Sequence, residues 1–257
     1  IGISARARGD GALALGTQTK ATSIRSTAIG HQAEASGADS ISIGTLSGAS
    51  NTHSIAIGEK ARAYGIDAIA FGASANATAT NAMAVGRNAR STAGGSVAVG
   101  INTEVTQVNS VAMGATAKAY GDSAVSLGVD VVSRGHSAVA VGANADALAQ
   151  SAVSIGDSTL ANAHNAVSVG ISSQATAERA IAMGDSTRAT AGDTVAIGTA
   201  AKATANYAIA IGKDALANQE AGTAVGIGAE ATGQYAAAFG DVAKASVRWV
   251  LPLVPAL

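Results

Sequence analysis

Large aliphatic and small residues alternate along this chain in short bursts that return every fourteen positions. In Ser54-Ile55-Ala56-Ile57-Gly58, aliphatic residues stand one and three places before a glycine, with Ala or Ser between and before them. The same pentad returns as Ser96-Val97-Ala98-Val99-Gly100 and Ala152-Val153-Ser154-Ile155-Gly156. The residue before the glycine is apolar in every repeat, and the one three before is large and apolar in 14 of 17 complete repeats, Thr27, Thr223 and Ala237 being the exceptions. Alternation with period two predicts a β-strand. Three and five residues after the glycine a second alternation follows, with Ala dominant at both places (Ala61 and Ala63, Ala201 and Ala203) and polar residues between and beyond. Each repeat therefore reads as strand, turn, strand, turn, one coil of a parallel β-solenoid whose coils bury their apolar surface against their neighbours.

Glycine marks the end of the first strand in each coil. The assigned turn glycines are Gly30, Gly44, Gly58, Gly72, Gly86, Gly100, Gly114, Gly128, Gly142, Gly156, Gly170, Gly184, Gly198 and Gly212, with Gly2, Gly16, Gly226 and Gly240 continuing the period. A residue without Cβ is needed there for positive φ or for close backbone approach. About eighteen coils, each advancing about 4.8 Å, predict an array about 85 Å long. The large Ile and Val of the first strand are expected to point inward against the Ala of the second. The remaining Ala and Ser face is then expected to be covered by self-association, which makes the chain an obligate oligomer.

Composition narrows the function. Aromatic residues make up 3 % of the 257 residues and the formal net charge is −1, with both signs scattered along the array. No long-range field favours nucleic acid, and no nucleic-acid partner is expected. Cysteine is absent, which leaves no disulfide framework and no thiolate metal site. The chain opens inside a repeat and carries neither a leader nor an apolar run of about twenty residues. It reads as a piece of a longer protein whose membrane anchor lies elsewhere. The period covers residues 1–246; residues 247–257, with Trp249, Pro252 and Pro255, form a separate apolar tail, read as a cap, the start of a further segment, or an end not native to the protein.

The hexapeptides Asn109-Ser110-Val111-Ala112-Met113-Gly114, His53-Ser54-Ile55-Ala56-Ile57-Gly58 and Asn165-Ala166-Val167-Ser168-Val169-Gly170 resemble the Asn-Ser-Val-Ala-Ile-Gly head repeats of trimeric autotransporter adhesins, the YadA-like family of bacterial surface proteins. The resemblance implies an all-β fold, a left-handed parallel β-roll of 14-residue coils with two short strands each, assembled as a homotrimer. It also implies a non-enzymatic head projecting from the bacterial outer membrane. Its partners would be host extracellular matrix proteins, cell-surface receptors, surfaces, or heads on neighbouring cells. A spacer or fibre-shaft segment, with the receptor site elsewhere, is the alternative.

No catalytic, cofactor or metal site is assigned. His136 and His164 share a column two coils apart, while His31 and His53 stand in other columns, and all four are read as turn-exposed. Gly226-Ile227-Gly228 is the repeat with one extra glycine, with no helix to open a dinucleotide site. The column four after the glycine is charged in 12 of 18 coils, a soluble outer face that protects the sheet from pairing with others. Its cations Arg62, Arg90, Lys118, Arg188 and Lys202 are the candidate ligand contacts, repeated so that weak contacts add by avidity.

Overall fold

The computed structural model describes residues 2–246; the tail reading for 247–257 lies outside the described residues. The chain divides into two compact units, Ile1–Ser137 and Ala138–Leu257. In the first, three-residue strands from Leu13–Leu15 to Val125–Leu127 alternate with two-residue strands from Arg6–Ala7 to Val132–Ser133. The second repeats this with three-residue strands from Val139–Val141 to Ala237–Phe239 and two-residue strands from Asp146–Ala147 to Lys244–Ala245. Among the described residues there is no helix. Every strand pairs in parallel with its counterpart one coil away, as in Ile55↔Ile69, Ala56↔Ala70 and Ile57↔Phe71, or Arg188↔Lys202 and Ala189↔Ala203. Each unit is thus an all-β parallel solenoid, with about 17 coils of some 14 residues in all.

The interior reverses the sequence-based assignment of faces. On the strand Ile55–Ile57 it is Ala56 that is fully buried, while Ile55 and Ile57 lie half-buried on the outside. The interior is lined by Ser54 and Ala56 from one strand and by Ala61 and Ala63 from the other, all at 0 % exposure. The same four positions are small in most coils of both units. Among the described residues the largest fully buried side chains are Val105 and Val131, so nothing as large as Leu or Ile lies inside. The physical reason is the length of the coil. Two turns consume most of fourteen residues, the two strands close on each other, and the gap has room for little more than opposing Cβ atoms. Large side chains on the inner face would overpack it, so they occupy the other face of the three-residue strand.

Where a hydroxyl replaces an interior methyl it has a partner, as buried polar groups require. Ser42 and Ser47 meet at 2.7 Å, Ser91 and Ser96 at 2.6 Å, and Ser168 and Ser173 at 2.7 Å, while Ser154 donates to Thr159 at 2.7 Å. Ser126, which faces Val131 rather than a hydroxyl at the usual place, donates to Ser133 at 2.9 Å.

Both corners of the coil are tight turns. The N–H of Ala61 donates to the Gly58 carbonyl at 3.3 Å, and that of Ala68 to Gly65 at 3.3 Å. Lys60 and Asp67, third in each turn, both have φ 56. These left-handed positions are held largely by residues other than glycine, a conformation that costs about 1–2 kcal/mol per residue. Side-chain ladders between successive coils offset part of that cost. Gln32 Nε2 donates to Gln18 Oε1 at 2.7 Å, Asn88 Nδ2 to Asn102 Oδ1 at 3.0 Å, and Arg25 Nε to Asp39 Oδ1 at 2.6 Å.

The periodic glycine occupies a different, more demanding place. Gly114 has φ 132, and a Cβ built on it would lie 1.9 Å from the carbonyl oxygen of Gly128 in the next coil. Both backbone conformation and space exclude a side chain there. Gly114→Val is expected to destabilise the protein by about 3 kcal/mol or more, through backbone strain and overpacking together. Urea unfolding followed by circular dichroism measures this, and an unchanged midpoint would refute the assignment.

Candidate adhesive surface

Each coil presents two outward faces and two corners. On the three-residue strand, the side chains flanking the buried centre form two aliphatic columns. In the first unit these include Ile55, Ile57, Ile69 and Phe71, and in the second Val153, Ile155, Ile181 and Met183. Phe71 is 51 % exposed and Met113 46 % exposed. Scattered exposed hydrophobics are ordinary, but a largely apolar stripe in register over successive coils, interrupted at Thr27, Thr223 and Ala237, is of the kind that marks a contact surface.

The two-residue strand carries the polar face. Arg62 stands outward while Ala63 beside it is buried, and Arg188 and Ala189 repeat the pattern. All five candidate contact residues therefore leave the interior, in one column of their own unit. Their surroundings differ. Arg90 Nη1 lies 3.4 Å from Glu104 Oε1, and Lys118 is in register with Glu104 on one side and Val132 on the other. Arg62 sits between Gly48 and Asn76. Arg188 and Lys202 are neighbours in register.

Two features of this face escaped the sequence reading. Tyr120 reaches back across a coil and donates its hydroxyl to Glu104 Oε2 at 2.6 Å. Burial first, and then this bond to a carboxylate, push its phenol up to about 12. Tyr64 leans the same way over Gly48, where a Cβ would meet the ring at 3.2 Å. The result is a shallow notch edged by Gln32, Glu34, Lys60 and Arg62. The signal for the first pair was available: Glu104 and Tyr120 are sixteen residues apart, one coil plus one alternation.

Two corner ladders pair arginine with aspartate. Arg25 grips Asp39 with two hydrogen bonds, at 2.6 and 2.7 Å, and Arg179 grips Asp193 at 2.5 and 2.8 Å. These bonds hold both carboxyls below the usual carboxylate range. His53 extends the first ladder, with Nδ1 2.9 Å from Asp67 Oδ1 and Nε2 4.0 Å from Asp39 Oδ2. All four histidines are exposed. His136 Nδ1 meets Ser137 and His164 Nδ1 meets Asn165 at their own corners. Among the described residues no three His, Cys, Asp or Glu side chains converge on one point.

A parallel solenoid of fourteen-residue coils with an alanine interior and a polar outer face is a β-repeat protein. The YadA head domain repeat matches this chain at residues 1–19, 21–47, 49–75, 77–103, 106–130, 133–159, 161–187 and 189–215, and the chain belongs to that family of adhesin-like heads. Among solved structures, the collagen-binding domain of the Yersinia adhesin YadA is similar at 26 % identity, over 59 % of this chain and 75 % of that one, with a TM-score of 0.38. Comparison with curated proteins yields no match.

The tyrosine pairing is testable by titration. Because the folded pKa of Tyr120 is raised, the neutral phenol's stabilisation is present below the ordinary value of about 10 and is lost as pH rises from there toward 12. Of the four tyrosines, one is expected to ionise late in an ultraviolet titration. Glu104→Gln should bring it only partly back, since burial remains the larger cause. A wild-type titration with all four phenols together would refute the geometry.

Proposed function

We propose that this chain is a non-enzymatic adhesin head that assembles as a homotrimer on a bacterial surface and binds through its polar outer face. The observation that carries the reading is the aliphatic stripe on the three-residue strands. A face of Ile, Val, Phe and Met in register over most coils is unfavourable against water and fits a second copy of itself. Family membership supports the adhesive role and the threefold assembly. With the aliphatic face covered by sister chains, the two-residue strands and their cations Arg62, Arg90, Lys118, Arg188 and Lys202 face outward. Contacts that are individually weak then add along each chain and across three of them. The partners in this reading are host matrix proteins, cell-surface receptors and heads on neighbouring cells, and the setting is the outer membrane surface.

Assembly through the aliphatic face, rather than through the Ala and Ser face now found inside, makes a specific prediction. The double variant Phe71→Glu/Met113→Glu is expected to convert a trimer to monomer or to aggregate, because a charge in a buried apolar interface costs several kcal/mol. Mass measurement in solution decides it; a monomeric wild type would overturn the assembly.

Adhesion itself is tested with the purified protein against immobilised matrix proteins, collagen first because the Yersinia relative's domain is named for it, and against host cells. Display on bacteria tests clumping. Removing internal coils in multiples of fourteen residues separates the two readings of the array. A binding head loses adhesion in steps with coils removed, whereas a spacer keeps full binding and only shortens its reach.

A further inference from the structure

In the second unit one part of the polar face differs from the rest. Gln174, Arg188 and Lys202 occupy three successive rungs of one column, paired in register. Thr176, Thr190 and Thr204 occupy the same three rungs of the next outward column, two residues further along each strand. Between the columns Ala175, Ala189 and Ala203 are buried, so the six polar side chains share the outer face. Together they form a grid two columns wide and three rungs long, spanning about 10 Å at the usual strand spacing.

The grid holds hydrogen-bond donors, two of them cationic, and no carboxylate. Its column ends at Leu160 on one side and Leu216 on the other. At the corresponding position of other coils in either unit, three cations stand beside a carboxylate one coil away, whereas Arg62 lies between Gly48 and Asn76. Lys20 is 3.7 Å from Glu34, Arg90 is 3.4 Å from Glu104, and Lys244 is 3.0 Å from Glu230. Arg188 and Lys202 have no ion pair among the described residues, and the three threonine hydroxyls make no hydrogen bond there. Two like charges on adjacent rungs repel, and an anion seated between them removes that repulsion.

We infer that this grid binds a linear polysaccharide bearing sulfate esters. A sulfate takes a charge-assisted contact from the guanidinium, one from the ammonium and one from a threonine hydroxyl at the same time. Successive rungs repeat those donors along the path of an extended chain. The six residues of the grid include no aromatic side chain on which a base would stack; the coil's exposed Tyr207 stands three residues beyond Thr204. The inference rests on the adhesin reading and assigns one ligand class to part of its outer face.

The test is retention of the full-length chain on immobilised heparin against a salt gradient. Arg188→Gln/Lys202→Gln is compared with the charge-matched Lys20→Gln/Lys244→Gln, both checked for unchanged thermal unfolding. The grid variant is expected to bind about tenfold more weakly, with a shallower salt dependence corresponding to about two fewer released ions. The control is expected to stay near wild type, and desulfated heparin to bind far less. Equal retention of wild type and grid variant overturns the inference, as does equal loss in the control pair. Polyglutamate or duplex DNA competing better than heparin also overturns it, in favour of an acidic protein or nucleic acid. Binding to collagen or cells with no retention on heparin sinks this inference alone and leaves the adhesin reading standing.

Discussion

Two strands that face each other across a gap no deeper than a pair of alanine side chains impose their terms on every other part of this molecule. With only fourteen residues per coil and two tight turns to make, the chain has no length left to separate its sheets by the roughly 10 Å that larger side chains demand. Interior positions are therefore held to Ala, Ser, Thr and an occasional Val. The hydrophobic effect still acts on the Ile, Val, Phe and Met of the three-residue strands, which within one chain stay half-buried or exposed. Thin interior and outward aliphatic stripe are two consequences of one length limit.

The limit also explains how polar groups enter the interior. A serine is nearly isosteric with alanine there, so it fits, but its hydroxyl needs a partner within the same narrow space. The pairs Ser42 with Ser47 and Ser168 with Ser173 meet that need across the coil. Where Val131 takes the partner's place, Ser126 turns to Ser133 instead. At the corners the same economy places non-glycine residues in left-handed conformations, and the ladders Arg25 to Asp39 and Arg179 to Asp193 tie one coil to the next. Surface charges on the two-residue strands pair in the same way in places, as Arg90 with Glu104 and Lys244 with Glu230.

Much of the fold was legible in the residues. The period, the two strands per coil and the parallel register follow from an alternation repeated without insertion, because coils of equal length can stack only residue over equivalent residue. The outward column of Arg62, Arg90, Lys118, Arg188 and Lys202 was legible for the same reason. Their different environments were less so: Arg90 beside Glu104 follows from a spacing of fourteen, but the backward lean of Tyr64 and Tyr120 depends on which rotamer clears the neighbouring coil.

Alternation along a strand separates two faces without saying which is inside. Reading large residues as interior and small ones as a surface for a partner was reasonable for sheets of ordinary spacing, and here it was inverted. The amino-acid sequence by itself determined the repeat, the strands, the places that need glycine and the division into polar and apolar columns. Only the tertiary structure decided which apolar column is enclosed, because that depends on the distance between the two strands. That distance is set by closing the whole coil through both turns, not by any residue within it.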